Sequence, residues 1–181
     1  MAQKLILNRN DFNCTLTRLC CQIIEKHPKL EDTVLVGLQP RGIILCDRIS
    51  GILQEKFAIK DLKTGKLDIT FFRDDFRTHD KPLIPKSTEI DFMVEGKTVI
   101  MIDDVLYTGR SVRSGLDAIL AFGRPAKVEL LVLIDRKYSR DLPIQPDYTG
   151  KAIDSIMSDK VKVKWSETDQ KDEVWLLSNQ D

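Results

Sequence analysis

Three short apolar runs constrain the fold of this chain more than any other feature of its sequence. They are TVLVGL at 33–38, TVIMID at 98–103 and KVELLVLI at 127–134. Each has the length of a strand and is almost continuously apolar, which is typical of strands that are covered on both faces. Strands that alternate with helices predict an α/β fold with an open, mostly parallel sheet and helices on both faces. The intervening segments with helical spacing are 11–26, 42–57 and 111–122.

The remaining segments complete this outline within one domain, residues 1–181. LDITFF at 67–72 alternates as a strand would, and VKVKW and DEVWLL predict two late strands. Residues 73–95 are polar and predict a long loop or β-arm, and loops of this length in compact domains often cover a functional site. The sequence contains no internal repeat and no sign of a domain boundary.

Composition excludes several functional classes. Acidic and basic residues number 28 each, so the net charge gives no general attraction to nucleic acid, although a local basic patch remains compatible with it. The first residues, MAQKLILNRND, lack the apolar core of a secretory signal, and no apolar run approaches the ~18 residues of a membrane span. A cytoplasmic protein without a membrane partner is therefore expected. The four cysteines form no C-x-x-C pair, which argues against a zinc site.

The stretch VIMIDDVLYTGRS at 99–111 is the strongest functional signal. A buried strand ends in two acids, Asp103 and Asp104, and a predicted helix begins just beyond. A helix N-terminus presents unpaired N–H groups and a partial positive charge, so Thr108–Ser111 would suit a phosphate. The acids would suit sugar hydroxyls, a metal or a developing cation. One ligand that needs both ends is a ribose 5-phosphate.

This stretch resembles the signature of phosphoribosyltransferases that use phosphoribosyl pyrophosphate (PRPP). Further segments are similar to the PyrR family of bacterial pyrimidine-operon attenuators, which also have uracil phosphoribosyltransferase activity: VLVGLQPRGIILCDRI, LDITFFRDDF, GRPAKVELLVLIDR and LPIQPDYTGKAI. The likeness spans roughly residues 3–177. It implies a type I phosphoribosyltransferase fold with a flexible arm at about 73–95 and a homo-oligomer, either a dimer or a larger assembly.

The resemblance assigns roles to individual residues. It implies that Asp103 and Asp104 are catalytic and hold the ribose hydroxyls, and that Arg41 and Gly42 bind pyrophosphate. Arg73, Asp74 and Asp75 would begin the arm that closes over the site. The residues that would surround the 5-phosphate are Tyr107, Thr108, Gly109, Arg110 and Ser111.

The implied reaction converts uracil and PRPP to UMP and pyrophosphate, with Mg²⁺ bound through the substrate. Purine-specific relatives usually carry a further Asp where this chain has Tyr107, so that residue favours uracil over hypoxanthine or guanine. A purine phosphoribosyltransferase of the same fold is the alternative. The residues expected near the base are Asp135, Arg136, Tyr148 and Thr149.

The family's second function is UMP-dependent binding to the leader mRNA of a pyrimidine operon. The positions on the corresponding RNA surface are Thr17, Arg18, Arg140 and Lys151. Cys21 stands where histidine is common in the family, and Gln145 stands where arginine is common. An enzyme without an RNA-binding role, and an RNA-binding regulator with a vestigial active site, are the further alternatives.

Overall fold

The computed structural model describes residues 2–73, 85 and 87–178 of the chain. Its helices are α1 (Arg9–Lys26), α2 (Gly42–Phe57), α3 (Arg110–Ile119) and α4 (Ser166–Asp169). Its strands are β1 (Ala2–Leu7), β2 (Thr33–Leu38), β3 (Lys63–Leu67), β4 (Thr98–Leu106), β5 (Lys127–Lys137), β6 (Tyr148–Asp154), β7 (Lys160–Lys164) and β8 (Glu173–Ser178). Short 3₁₀ turns occupy Thr70–Phe72 and Leu120–Phe122.

The strands form two sheets. The larger is five-stranded in the order β3-β2-β4-β5-β6, and every neighbouring pair in it is parallel. The smaller is three-stranded in the order β1-β8-β7 and antiparallel. The predicted fold class, an open and mostly parallel α/β sheet, is confirmed.

Helices cover both faces of the large sheet, because successive side chains of a strand point to opposite faces. Ile100 and Ile102 of β4 belong to the core cluster that contains buried residues of α1 and α2. Val99 and Met101, which alternate with them, belong to the cluster that contains Val112 of α3. The run in β4 is therefore continuously apolar because the strand is buried on both faces, as the sequence predicted.

The small sheet packs against the helices of the large one through Trp165. This residue is fully buried, and its ring meets Phe12 of α1 edge to face at 5.2 Å. The guanidinium of Arg48 in α2 lies 5.1 Å from the Trp165 ring and pairs with Asp172 at 2.6 Å. These contacts fix the small sheet over the carboxyl ends of the parallel strands, since Arg41 at that edge donates to the Val163 carbonyl of β7 at 2.7 Å.

The predicted strand at 67–72 was wrong in position. The strand β3 ends at Leu67, and its pairing partner is β2. The Asp68 side chain accepts a hydrogen bond from the Thr70 backbone N–H at 2.8 Å, which turns the chain into a 3₁₀ turn. The apolar alternation of LDITFF therefore follows a turn that an aspartate initiates.

Strands β1 and β6 were not predicted, and the β4 and β5 runs continue past their predicted ends to Leu106 and Lys137. Edge strands need only backbone partners and tolerate polar side chains, so their sequence pattern is weak. Among the helices of the described residues, none has the length and apolar character needed to cross a membrane.

Candidate active site

The acid pair lies within the carboxyl end of β4, the central strand of the large sheet. In open parallel sheets, ligands bind beyond this edge. Asp103 is paired in register with Val132 of β5, and one of its carboxylate oxygens accepts the Asp104 backbone N–H at 2.9 Å. Asp104 is 9% exposed. The sheet therefore fixes both carboxyl groups at the edge where a ligand would lie.

The surroundings of the two acids have opposing effects on their pKa values. Burial raises the pKa of Asp103 well above its ordinary value, the charge of Asp104 adds to this, and the charge of Arg73 opposes it. Burial also raises the pKa of Asp104, and Arg41 opposes that effect. A cationic group that approached the pair would relieve the cost of holding two negative charges together.

The predicted phosphate loop, residues 107–111 (hereafter the phosphate loop), comprises the connection after β4 and the first residues of α3. Gly109 caps α3 with a φ of 91°, a left-handed conformation that favours glycine. The loop lines a cavity of about 220 Å³ together with Asp103 and Arg73. Arg110 and Ser111, the first residues of α3, therefore line the same cavity as Asp103.

The Arg41–Gly42 loop begins α2 beside the acid pair. A side chain on Gly42 would place its Cβ 2.3 Å from the Ile102 carbonyl oxygen and 3.1 Å from the Asp103 Cα. Only glycine permits this approach of the helix to the strand. The Gln39–Pro40 peptide bond that precedes it is cis.

The predicted arm at 73–95 falls partly outside the described residues, as do its members Asp74 and Asp75. Arg73 is described and lines the cavity of the phosphate loop. Further along, the Ser87 carbonyl accepts the Gln39 side-chain amide at 2.8 Å, and Glu89 forms an isolated antiparallel bridge with Lys66 of β3.

The four residues expected near the base lie at two different places in the structure. Asp135 and Arg136 lie at the carboxyl end of β5, next to the site. The Arg136 guanidinium is buried, lies 3.9 Å from the centroid of the Tyr107 ring, and donates to Ser155 Oγ at 2.9 Å and to the Ile156 carbonyl at 2.9 Å. Burial lowers the pKa of Arg136. The Arg136 guanidinium thus holds the ring of Tyr107, the first residue of the phosphate loop.

Tyr148 and Thr149 open β6, and the structure does not bring the Tyr148 hydroxyl to the site. It donates to Glu129 Oε2 at 2.6 Å, near the amino end of β5, and the residue is 3% exposed. The Thr149 carbonyl accepts the Arg18 guanidinium at 3.3 Å. For Tyr148 the geometry supports membership of a buried cluster rather than contact with a base.

The cluster around Glu129 stabilises the opposite, amino edge of the sheet. The Glu129 side chain is 0% exposed. Its carboxylate lies 2.8 Å from Lys26 Nζ, 2.7 Å from Lys127 Nζ and 2.9 Å from His27 Nε2. Burial acts to raise the pKa of Glu129, but hydrogen bonds from Lys127, Lys26, Tyr148 and His27 outweigh it, so the pKa lies below its ordinary value.

The residues predicted for an RNA surface fall into two settings. Arg18 is exposed on α1 and reaches β6, Lys56 Nζ donates to Thr17 Oγ1 at 3.4 Å, and Lys151 Nζ donates to the Ile6 carbonyl at 3.0 Å. Arg140 differs, because its guanidinium donates to carbonyl oxygens of the phosphate loop and of its own segment. Their role in RNA binding stays a prediction.

Residues of the segment after β5 contact the phosphate loop and were not predicted for it. The Asp141 N–H donates to the Thr108 carbonyl at 3.0 Å, and Asp141 Oδ2 pairs with Arg110 Nε at 3.0 Å. Ile144 packs on Gly109. No local pattern marks these residues, because they lie about thirty positions from the loop they contact. For a metal, the part of the chain that the structure describes contains no group of three His, Cys, Asp or Glu side chains close enough to bind one.

The carboxyl edge of the parallel sheet carries the acid pair, and Asp103 shares one cavity with the N-terminal residues of α3. The comparisons with known proteins place this arrangement in the phosphoribosyltransferase class. The family model for the phosphoribosyl transferase domain matches residues 3–170. Solved structures with this fold include a hypoxanthine phosphoribosyltransferase from Staphylococcus aureus (TM-score 0.69, 19% identity, 97% of this chain and 92% of that chain). A second is the hypoxanthine phosphoribosyltransferase of Trypanosoma cruzi (TM-score 0.73, 13% identity, 98% and 97%).

Curated relatives narrow the class. "Bifunctional protein PyrR" of Desulfosudis oleivorans is 43% identical over 169 residues, which cover 93% of each chain. "Bifunctional protein PyrR" of Chloroflexus aurantiacus is 41% identical over 175 residues, or 97% of this chain and 95% of the relative. The chain belongs to the PyrR family.

Proposed function

We propose that this protein transfers the phosphoribosyl group of PRPP to uracil, which forms UMP and releases pyrophosphate. One observation carries the proposal: Asp103 and the N-terminal residues of α3 line a single cavity of about 220 Å³. A ribose 5-phosphate has hydroxyls for the acids and a phosphate for the helix N–H groups.

The chain's own residues support the bond cleavage electrostatically. As the bond from ribose C1 to the pyrophosphate oxygen breaks, positive charge develops on the ribose ring. Uracil N1 then bonds to C1, and the proton that N1 carried leaves with the departing pyrophosphate. Asp103 and Asp104 stabilise that charge, because burial has already removed them from water. Arg41 and Arg73 provide positive charge for the departing pyrophosphate. Mg²⁺ would enter with the pyrophosphate and neutralise part of its charge.

The preference for uracil rests on Tyr107 and Arg136. A purine substrate benefits from a carboxylate near its ring nitrogen, which can act as a general base. At the position after Leu106 this chain instead has a tyrosine whose ring is stacked on a buried guanidinium. The purine enzyme of the same fold is the competing candidate.

A base panel tests this proposal. Purified protein with PRPP and Mg²⁺ should form UMP from uracil, and it should give little or no nucleotide from hypoxanthine or guanine. Asp104→Asn should slow the uracil reaction, and Asp117→Asn is the matched control for it. Asp117 is an exposed acid of α3 paired with Arg113, outside the acid pair. Faster turnover of hypoxanthine than of uracil would refute the assignment of the base.

We also propose that the UMP-bound protein recognises the leader mRNA of a pyrimidine operon, as a homo-oligomer in the cytoplasm. Support comes from the name of the relatives, "Bifunctional protein PyrR". It also comes from the proximity of Thr17, Arg18 and Lys151, since α1 packs on β6. The alternative is an enzyme without an RNA-binding role.

A gel shift with the leader of the protein's own pyrimidine operon, with and without UMP, tests the RNA role. Lys151→Gln should weaken binding and reduce the slope of log affinity against log salt by roughly 0.7, the value for one phosphate contact with a single strand. Lys29→Gln is the control, since Lys29 is 80% exposed and lies outside this surface. Uracil turnover should be unchanged in both variants. If the wild type shows no UMP-stimulated shift, the RNA proposal is wrong and the enzymatic one stands.

A further inference from the structure

Arg140 lies in the segment that follows β5, and its guanidinium is directed at the phosphate loop. Its side chain is 22% exposed, which is low for an arginine outside regular structure. Its guanidinium donates hydrogen bonds to the carbonyls of Leu106, Tyr107, Arg136 and Ile144 and to the carboxylate of Asp135. One side chain therefore joins the ends of β4 and β5 and the loop beyond.

The carbonyls that Arg140 holds determine where the neighbouring N–H groups point. In a planar trans peptide, the C=O of one residue and the N–H of the next are directed oppositely. The Tyr107 carbonyl faces Arg140, so the Thr108 N–H is directed away from it. The Thr108 carbonyl accepts the N–H groups of Asp141 at 3.0 Å and Leu142 at 3.3 Å, so the Gly109 N–H is likewise directed away from that segment.

The same segment also limits the position of Gly109. Its Ile144 side chain lies 3.1 Å from the place where a Gly109 Cβ would be. Contacts with the segment after β5 thus fix the carbonyls of Tyr107 and Thr108, and the loop residues also line the cavity. The Thr108 and Gly109 N–H groups are directed away from that segment, whereas the Arg110 N–H donates to Thr108 Oγ1 at 3.5 Å.

We propose that Arg140 is a positioning residue for the phosphate loop. By binding the carbonyls of Leu106 and Tyr107, it directs the loop's N–H groups toward the 5-phosphate of PRPP and UMP. It does not touch the ligand in this assignment. The inference rests on the proposed function for the identity of the ligand, but its subject is the affinity for the phosphoribosyl group rather than the choice of base.

Arginine suits this role because its planar guanidinium donates in several fixed directions at once. A lysine at this position would keep the positive charge near the phosphate but could not bind the same set of oxygens in one plane. Arg140→Lys therefore separates positioning from simple charge attraction. Arg140→Gln removes both.

The experiment compares Arg140→Lys and Arg140→Gln with the wild-type chain. Arg113→Gln is the matched control, because Arg113 is an arginine on α3 whose side chain is 51% exposed. The measurements are the KM for PRPP, the KM for uracil, kcat, the Kd of UMP by calorimetry, and the melting temperature without ligand. The amide resonance of Gly109 during UMP titration reports the loop directly.

Arg140→Lys should raise the KM for PRPP and the Kd of UMP roughly tenfold, about 1.4 kcal/mol. The KM for uracil should stay unchanged, and the shift of the Gly109 amide on UMP binding should shrink. Arg140→Gln should be worse, and if it does not fold, Arg140→Lys decides. An Arg140→Lys protein that binds UMP and PRPP as the wild type does would overturn the proposal, as would a loss confined to kcat. Wild-type protein that binds PRPP but does not use uracil would refute the proposed base and leave the positioning role intact.

Discussion

A methyl group added at Gly42 should separate α2 from the acid pair. The Cβ of an alanine there would lie 2.3 Å from the Ile102 carbonyl oxygen and 3.2 Å from the Ile102 carbonyl carbon. These neighbours are backbone atoms of β4, so they cannot move aside as the end of a flexible side chain could. Relief therefore requires the N-terminus of α2 to shift away from β4, which carries Asp103.

The expected cost is about 1–3 kcal/mol, the usual range for overpacking a well-packed interior. For a chain of this size, that corresponds to a fall in melting temperature of roughly 2–12 °C. Because Arg41 precedes Gly42 directly, its guanidinium should move with the helix. The KM for PRPP should then rise, while the KM for uracil should change little.

Gly51→Ala is the matched control in the same helix. Apart from the neighbouring residues and backbone of α2 itself, no heavy atom of the described residues lies within 4 Å of a Cβ added at Gly51, so the methyl group meets open space. Alanine in a helix interior is favoured over glycine by about 0.5–1 kcal/mol, and the melting temperature should therefore rise slightly. Thermal melts and PRPP kinetics of both variants check the prediction. A Gly42→Ala protein with wild-type stability and wild-type PRPP affinity would refute the close-approach argument.

Two further predictions concern ionisable groups. Asp104→Asn should slow UMP formation about a hundredfold, equivalent to ~3 kcal/mol of lost electrostatic stabilisation. The same change should raise the melting temperature at neutral pH, because burial raises the pKa of Asp104 and its ionisation destabilises the fold. That gain in melting temperature should vanish below the ordinary aspartate pKa of about 3.9, where Asp104 of the wild type is also protonated in both the folded and unfolded states. An Asp104→Asn protein with wild-type turnover would contradict the assigned role. Glu129→Gln should cost roughly 1–3 kcal/mol, since it removes a buried, charged acceptor from Lys26 and Lys127. Because the pKa of Glu129 is lowered in the fold, its contribution is present above the ordinary value of 4.5 and is lost as pH falls through the lowered one. Urea melts at pH 7 and pH 3 would measure this, and an equal cost at both would contradict it.

The parallel sheet and the residues of the candidate site at its carboxyl edge have local signals in the sequence. The apolar runs at 33–38, 98–103 and 127–134 contain the cores of the three central strands. Only strands buried on both faces need such continuous apolar character. Asp103 and the phosphate loop are adjacent in the chain, so the strand that carries one necessarily presents the other. Asp103 and the phosphate loop therefore lie together because they are neighbours in the sequence.

Elements at the edges of the sheet were less predictable. The β3 strand has the sequence KTGKL, which carries little apolar signal, yet it pairs along its length with β2. Its residues are selected by backbone hydrogen bonding to a neighbour rather than by burial of their side chains. The LDITFF segment had the stronger alternating pattern, but the Asp68 side chain competes for the backbone there and ends the strand.

The sequence by itself determined the fold class, the acid pair and the helix N-terminus that faces it, because each depends on residues close together in the chain. Only the tertiary structure decided which distant residues support them. Arg140 binds the Tyr107 carbonyl of the loop after β4, and Tyr148 lies in the Glu129 cluster near the amino end of β5. Such contacts join segments far apart in the chain, and the chemistry of an arginine or a tyrosine fits several partners equally well. The packing of the strands and loops around the carboxyl edge selects one partner, and no local pattern of residues contains that information.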